Sequence, residues 1–422
     1  MMSVSPHGST GPRVSWSLIP VFAMLLVIWS GSRPAAAQTP FAIGNIGQRT
    51  TLEDARMVGR GGWGMAVTDS LNPGFKNLAS LYSLRHLVLK FTGYGDNVES
   101  QDTRGERMNS RVFVPDVRVA GPVIKERLAL TAGLVVHRST QYHTLIDTTW
   151  TASVWGDSVI GSEQFERIGN RFRVPVGGAL KILPGLAVSG SVNIEAGSLK
   201  GTVNNFFNNP GYSANNPFYQ TNVKETKDEF HGTSQTWGVL LNPSSWFQVG
   251  ASWTPAHKIE ADRKVTHFGV SHRNSSSYTM EMPAEYMAGV QLRPFGRFRL
   301  GGDAHFQEFS KFTGPDEWMA DMEDEFSLSF GMERMQGRIR RGGFSNAPLR
   351  VGASFKRWAY RVGGNVVDEK TISVGTGFPF RQNLGELDLA FSYSLIGDLE
   401  KNGVESTVWR LTLSVTGLER WW

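Results

Sequence analysis

The last stretch of the chain reads STVWRLTLSVTGLERWW and covers residues 406–422. Four apolar side chains alternate in it with four polar ones: Trp409, Leu411, Leu413 and Val415 against Arg410, Thr412, Ser414 and Thr416. Alternation with period two predicts a strand with one apolar and one polar face. An aromatic pair after such a strand, Trp421 and Trp422, is typical of outer-membrane β-barrels, in which the apolar face meets lipid and the polar face meets the lumen. Trp421 keeps the parity of the apolar face, whereas Trp422 would need a bulge near Gly417.

The amino terminus indicates export. Residues 17–29, SLIPVFAMLLVIW, form an apolar run that Arg13 precedes and the small residues Ala35–Ala37 follow. This order predicts a signal peptide of residues 1–37, cleaved after Ala37. The run is also shorter than the roughly 20 residues that a membrane-spanning helix needs.

Composition narrows the class of protein further. The 47 glycines, 13 tryptophans and 25 phenylalanines suit strands with aromatic girdles. The net charge is +5, but the basic residues are scattered and form no stripe with interleaved aromatics, so we expect no nucleic-acid partner. No catalytic motif, zinc spacing or phosphate loop is present, so we expect neither enzymatic activity nor a cofactor or metal.

Alternation recurs through the chain and predicts an all-β fold, a 14-stranded antiparallel transmembrane β-barrel. The predicted strands are 84–95, 111–120, 126–138, 170–182, 185–199, 229–242, 246–256, 278–293, 297–310, 326–335, 348–358, 370–380, 386–396 and 406–417. Tight turns alternate with long polar loops at 96–110, 139–169, 200–228, 257–277 and 311–325. Short turns on the periplasmic side and longer loops outside are typical of such barrels. A soluble β-sandwich or propeller would show the same alternation, but it explains neither the terminal aromatics nor the unequal connections.

Three segments resemble FadL-type barrels, the outer-membrane transporters of long-chain fatty acids and other hydrophobic compounds. Residues 55–69 read ARMVGRGGWGMAVTD and precede KNLASL at 76–81; the segments 282–294 with Asp303, and 349–355 with 371–379, match later family strands. Trp63 and Leu78 replace the family's usual Ala and Pro. The spacing also resembles the PorV-like branch, whose members escort secreted cargo.

The resemblance implies that residues 38–83 fold into the lumen as a hatch and that residues 84–422 form the barrel. Within the hatch we single out Gly61, Gly62, Trp63 and Gly64, because glycines allow tight backbone turns. A disordered periplasmic arm is the other reading, but it would leave Met57, Trp63 and Met65 in water.

The resemblance also implies a hydrophobic capture site on an outer loop. Aromatic side chains are frequent among the asparagines of residues 201–225, and we expect five of them to bind ligand: Phe206, Phe207, Tyr212, Phe218 and Tyr219. These aromatics would otherwise pack the loop onto itself or join the lipid girdle.

On the predicted lumen face we place charges of both signs: Arg171, Arg173, Glu195, Glu281, Glu285, Arg297, Arg299, Asp303, His305, Arg350 and Arg410. We expect these charges to pair across the lumen with one another or with the hatch. Pro175 and Pro283 each remove a ladder donor and are candidate kinks; in the family a strand kink opens a lateral exit.

The expected function is passive uptake of hydrophobic molecules, long-chain fatty acids or similar, across a bacterial outer membrane. The expected partners are the hydrophobic substrate, outer-membrane lipid or lipopolysaccharide, and the barrel assembly machinery, which would read the C-terminal strand. A PorV-like scaffold for secretion or assembly of exported proteins and a general polar porin remain open alternatives.

Overall fold

The computed structural model describes residues 39–43, 46–50, 53–151, 158–207, 222–268, 273–319, 321–336, 347–380 and 385–419. The predicted signal peptide and the terminal Trp421 and Trp422 lie outside these residues. In the described part of the chain, no helix is long and apolar enough to cross a membrane.

Seventeen described strands follow one another along the chain. They are β1 (Gln48–Arg49), β2 (Leu87–Asp102), β3 (Gly105–Ile124), β4 (Leu128–Thr151), β5 (Ser158–Leu183), β6 (Leu186–Phe207), β7 (Asn222–Ser244), β8 (Phe247–Thr254), β9 (His257–Phe268), β10 (Arg273–Met282), β11 (Glu285–Leu292), β12 (Phe298–Gln307), β13 (Glu325–Arg334), β14 (Leu349–Val362), β15 (Asn365–Phe380), β16 (Gly385–Asp398) and β17 (Val404–Glu419).

The strands from β2 to β17 form a closed antiparallel barrel of 14 strands, which confirms the predicted fold. In this count β8 and β9 are two segments of one barrel strand, and β10 and β11 are two segments of the next, because β11 pairs with β8 while β10 pairs with β9. The last strand closes the barrel on the first, from Val404↔Asp102 to Glu419↔Leu87, without a register shift. The bulge considered near Gly417 is therefore absent from the described part of β17.

Short helices complete the structure. They are α1 (Ala55–Val58), α2 (Asp316–Met319) and α3 (Leu399–Asn402), with 3₁₀ turns at Pro40–Ile43, Leu78–Ser83 and Phe309–Lys311. Asp54 caps α1 by accepting a hydrogen bond from the Met57 N–H at 2.8 Å.

The faces of β17 are those that its alternation predicts. Trp409 and Leu411 are exposed on the outer surface, whereas Thr412, Ser414 and Thr416 are buried inside. In β5 and β6 the apolar Val176, Val192 and Ile194 likewise point outward while Arg171, Arg173 and Glu195 are buried.

One predicted face is wrong. We expected Glu281 in the lumen, but Glu281 is exposed and its neighbours Met280 and Met282 are buried. The cause is the break at Pro283–Ala284, which places Met282 and Glu285 on the same side of the wall and so inverts the alternation. Pro283 therefore marks a break, as predicted.

Most of the predicted long loops are too long, because described strands extend into them from both sides. The hairpin between β2 and β3 turns within Thr103–Arg104, and β4, β5, β6 and β7 each have more than 20 residues. A membrane strand needs only about 9–11 residues. The β4–β7 side of the barrel therefore rises above the membrane as a sheet.

Candidate functional site

The described residues between Thr39 and Ser83, for which we keep the name hatch, contact the inner face of the barrel wall from the long-loop end to the short-turn end. Pro40 lies beside the outer hairpin residues Asp102 and Gly403. At the short-turn end, the Tyr82 hydroxyl accepts a hydrogen bond from the side-chain amide of Asn242 at 3.0 Å. The hatch carries large side chains that are fully buried, including Phe41, Trp63 and Met65. Such burial is expected if these residues lie inside the barrel. A disordered periplasmic arm would leave the same side chains exposed to water.

Glycines in the barrel wall receive the hatch backbone. Gly331 pairs with Gly352, and Gly301 with Gly331, so these three form an inward track across β12, β13 and β14. A Cβ atom on Gly352 would lie 2.2 Å from the Arg60 carbonyl carbon, and one on Gly301 would lie 2.6 Å from the Trp63 ring. Only glycine permits this approach of hatch and wall.

The glycines of the hatch lie against the wall as well. Gly61 and Gly62 have φ of 78° and 93°, a conformation that L side chains rarely adopt. The Gly61 N–H donates to the Ser373 hydroxyl at 3.1 Å, and the Gly64 N–H donates to Asp303 Oδ2 at 2.7 Å. The predicted residues Gly61, Gly62, Trp63 and Gly64 thus lie together against the wall, although their role as a hatch remains a prediction.

A single buried carboxylate, Glu333 of β13, organises the charges beneath this turn. Four arginines surround it: Arg56 at 3.1 Å, Arg60 at 3.1 Å, Arg350 at 3.0 Å and Arg299 at 3.5 Å. Arg350 also pairs with Asp388 at 2.6 Å. Burial lowers the pKa of the Arg60 guanidinium to about 10, partly offset by Glu333. Two hatch arginines are therefore tied to the wall through one carboxylate.

Asp54 and Lys76 supply two more ties between hatch and wall. Lys76 pairs with Asp303 at 3.1 Å and donates to the Gly62 carbonyl at 2.7 Å. Asp54 pairs with Lys90 of β2. Burial alone would raise the pKa of Asp54, but Lys90 outweighs it and the pKa is lowered. The sequence predicts that lumen charges pair with one another or with the hatch. Asp303 pairs with Lys76 of the hatch, and Arg350 pairs with Glu333 and Asp388 of nearby wall strands.

An apolar layer lies above the charged layer, toward the long-loop end. Phe41 and Ile46 of the hatch meet buried side chains of several strands there, such as Val98 and Met280. Phe309, Phe312 and Trp318 of the segment between β12 and β13 close the layer from above. The guanidinium of Arg138 lies 4.7 Å from the Phe309 ring centroid.

The barrel wall is interrupted between β3 and β4. Within the described residues, their pairing runs from Ile124↔Leu128 only to Asp116↔Val135, although both strands continue toward the long-loop end. Six consecutive residues of β4, from Val135 to Thr140, are buried, so the strand loses its alternation and turns into the lumen. We call this interruption the seam.

The hatch strand β1 occupies the freed edge of β4. Gln48 pairs with Ser139 and Arg49 with Arg138, and the Thr50 N–H donates to the His137 carbonyl at 3.0 Å. Arg49 pairs with Glu285 at 2.5 Å. Beyond this point the hatch leaves β4 at Gly47, whose φ is 76°.

Pro175, the predicted kink, lies one strand away from the seam. The β4–β5 pairs pass from Ala132↔Val176 to Val135↔Arg173, so the ladder is interrupted opposite Pro175, while β5 itself continues. The bend and the register shift are in β4, between Val136 and Arg138. Neither Pro nor Gly marks that position in β4, which is why the sequence did not reveal it.

The predicted capture residues are only partly described. Phe206 is 40% exposed near the end of β6, and the backbone of Phe207 pairs with Gly161. Tyr212, Phe218 and Tyr219 lie outside the described residues. The capture site therefore stays a prediction, as does its five-residue composition.

Comparison with known proteins gives a family and a fold. A family model described as BamG matches residues 17–422. The fold is similar to that of a Pseudomonas aeruginosa FadL homologue, with 14% identity, 89% of this chain and 99% of that one covered, and a TM-score of 0.58.

Two hydrocarbon channels are similar as well. The CymD monoaromatic hydrocarbon channel has 14% identity, coverage of 90% and 99%, and a TM-score of 0.56. The Ralstonia pickettii toluene transporter TbuX has 13% identity, coverage of 87% and 98%, and a TM-score of 0.56. No curated protein sequence matches significantly. The FadL-type barrel expected from the motifs is confirmed.

Proposed function

Because the chain belongs to the BamG family and has a FadL-type outer-membrane barrel with a seam in its wall, we propose that it admits hydrophobic small molecules from outside and releases them sideways into the membrane. The observation that carries the proposal is the seam between β3 and β4. Long-chain fatty acids or similar compounds are the proposed substrates.

The chemistry of the seam suits such an exit. Apolar side chains border it where the pairing ends, among them Phe113 and Pro115 on β3 and Val135 and Val136 on β4. A hydrophobic molecule that passes between them would keep apolar contacts with these four side chains on its way to lipid.

The layers of the lumen favour this sideways route over a straight one. The apolar layer around Phe41 and Ile46 lies at the level of the seam, where β1 joins β4. Below it lie Glu333 and its four arginines, which a hydrophobic molecule could cross only by breaking buried ion pairs. Two cavities between hatch and wall measure about 100 and 40 Å³, less than ligand sites usually need. Release therefore requires movement of the upper hatch.

A reversible disulfide tests this requirement. Gln48 and Ser139 are direct partners in an antiparallel pair, which places their Cα atoms within disulfide range. The chain has no cysteine, so Gln48→Cys/Ser139→Cys creates a single crosslink between β1 and β4. We expect uptake of a labelled alkane or fatty acid to fall when this variant is oxidised in cells and to recover on reduction.

The matched control is Ser354→Cys/Thr371→Cys, a direct pair between β14 and β15. That link joins strands that are already paired, so oxidation should leave uptake unchanged. Equal uptake by the oxidised and reduced forms of the Gln48/Ser139 variant would contradict release through the seam.

Capture by the outer aromatics is a separate part of the proposal. Phe206→Ala/Phe207→Ala should lower uptake at low substrate concentration, because fewer molecules would be held near the mouth. Met108→Ala, which removes a 72% exposed side chain at the same end of the barrel, is the control. Unchanged uptake by the Phe206/Phe207 variant would reject these residues as the capture site.

A PorV-like scaffold for secretion or assembly of exported proteins is the second candidate. The observation that favours it is the β3-facing side of upper β4, along which the β3–β4 ladder does not continue in the described residues, while the other side of β4 pairs with β5. Unpaired edges accept strands of other polypeptides. Co-purification with a secretion or assembly complex, together with uptake equal to that of a deletion strain, would favour the scaffold over the channel.

A further inference from the structure

A cavity of about 390 Å³ opens at the short-turn end of the lumen, away from the seam. The hatch contributes Thr68, Asp69, Ser70, Tyr82 and Ser83 to its lining. The wall and its turns contribute Glu126 and four cations: Arg85, Lys181, Arg293 and Arg299. Its volume is within the range of small-molecule sites.

The two carboxylates of the cavity already have partners. Asp69 pairs with Arg56 at 3.0 Å and accepts the N–H of Leu71 at 3.0 Å. Glu126 accepts a hydrogen bond from Arg85 Nε at 2.7 Å. The acidic groups are thus engaged, and Lys181, Arg293 and Arg299 leave the lining with excess positive charge.

Arg299 provides the strongest support for an anion site in this cavity. It is only 6% exposed, yet its Nε has no hydrogen-bond partner among the described residues. Its contact with Glu333, at 3.5 Å, is the longest of the four arginine contacts of that carboxylate. A buried guanidinium N–H without an acceptor is costly, so a ligand oxygen would be stabilising there.

The other two cations face the cavity from different sides. Arg293 lies in the turn before β12, and burial followed by the charge of Arg299 lowers the pKa of its guanidinium. The Lys181 ammonium lies 5.6 Å from the Tyr82 ring centroid, near the rim. Like charges in one half-buried cavity repel, and a bound anion would relieve that repulsion.

We propose that this cavity binds the phosphate group of a small organic ligand, through Lys181, Arg293 and Arg299. Guanidinium groups bind phosphate oxygens through paired hydrogen bonds, and the hydroxyl of Ser70 can donate a further one. The site goes beyond the uptake of hydrophobic molecules, because it is polar and lies on the other side of the ion-paired layer. The phosphate can come from a soluble phosphomonoester or from a phospholipid head group at the rim.

The test uses the full chain in detergent micelles and in lipid nanodiscs. Isothermal titration with inorganic phosphate and with glycerol 3-phosphate examines the soluble source. Native mass spectrometry of retained phosphatidylglycerol examines the lipid source. Lys181→Gln and Arg293→Gln should each weaken the binding that is found by about tenfold or more.

Arg127→Gln is the matched control. Arg127 is an exposed cation of the turn between β3 and β4 and does not line the cavity, so its loss changes the rim charge equally. Heat-modifiable electrophoretic migration should confirm that each variant barrel is folded. Binding weakened by Lys181→Gln and Arg293→Gln but not by Arg127→Gln supports the site. Binding of neither probe class, or equal weakening by all three variants, overturns it.

Discussion

Gly352→Ala is the most direct perturbation of the contact between hatch and wall. A Cβ atom at this position would lie 2.2 Å from both the Arg60 carbonyl carbon and the Gly61 nitrogen. Ordinary contact begins at 3.4 Å, so the hatch backbone and the wall strand must separate by about 1.2 Å. Both neighbours are backbone atoms and cannot turn away as a flexible side chain would.

A displacement of this size acts on bonds that hold the hatch. The Gly61 N–H donates to Ser373 at 3.1 Å, and Arg60 pairs with Glu333 at 3.1 Å. Overpacking of this kind typically costs about 1–3 kcal/mol. If the whole cost destabilises the contact of the hatch with the wall, the equilibrium constant for detachment of the hatch rises by roughly 5-fold to 150-fold, since each 1.4 kcal/mol changes an equilibrium constant tenfold.

Hydrogen exchange of residues 55–66 in the folded barrel measures this opening. We expect faster exchange in Gly352→Ala by that factor, with the wall strands unchanged. Gly95→Ala is the control, because its Cβ would meet only the Arg111 carbonyl oxygen at 3.8 Å. If exchange in Gly352→Ala equals that in the wild type and in Gly95→Ala, the hatch does not rest on the glycine track.

Three further predictions concern the charges and the core of the hatch. Glu333→Gln leaves its arginines without their shared carboxylate and should destabilise the protein by about 3–5 kcal/mol in urea unfolding, whereas the exposed Glu99→Gln should change it little. Because folding lowers the pKa of Asp54, this carboxylate stabilises the folded protein at pH values above its unfolded pKa near 4, and the stabilisation is lost as the pH falls through its folded pKa. Hydrogen exchange of the hatch should therefore become faster below about pH 4. Asp54→Asn should remove that pH dependence. Trp63→Ala removes a fully buried ring and should cost about 3–5 kcal/mol, detected as faster proteolysis within the hatch, whereas Trp246→Ala, 57% exposed, should not.

The sequence was sufficient where the signal is local. Alternation in β17 gives both faces of the strand from adjacent residues, and the structure confirms them for Trp409 and Thr412. The strand count was correct for the same reason. Loop lengths were wrong because polar sequence above the membrane can still form paired strands, as it does in upper β4 and β5.

The rest depends on which strands are neighbours. Gly301, Gly331 and Gly352 lie on three separate strands, and only their register makes them one track. No spacing in the chain joins them, although each is a glycine at an inward position of a predicted strand. The inverted face at Met282 was mispredicted for a related reason. Pro283 indicates a break in the strand, but the sequence does not indicate how many residues the break contains.

The two halves of the hatch are held very differently, and this bears on how the lumen could open. The lower half rests on the glycine track and on Glu333 and Asp303, so its release would break several buried ion pairs. In the described part of the upper half, residues 39–50, Arg49 is the one side chain that forms ion pairs with the wall, beside the two residue pairs of β1 and hydrogen bonds from the wall to hatch carbonyls. The segment leaves β4 at Gly47, whose left-handed backbone can serve as a hinge. We therefore expect the upper half to detach from β4 while the lower half stays in place. In that motion the apolar layer and the seam open together, and the charged layer continues to close the lumen.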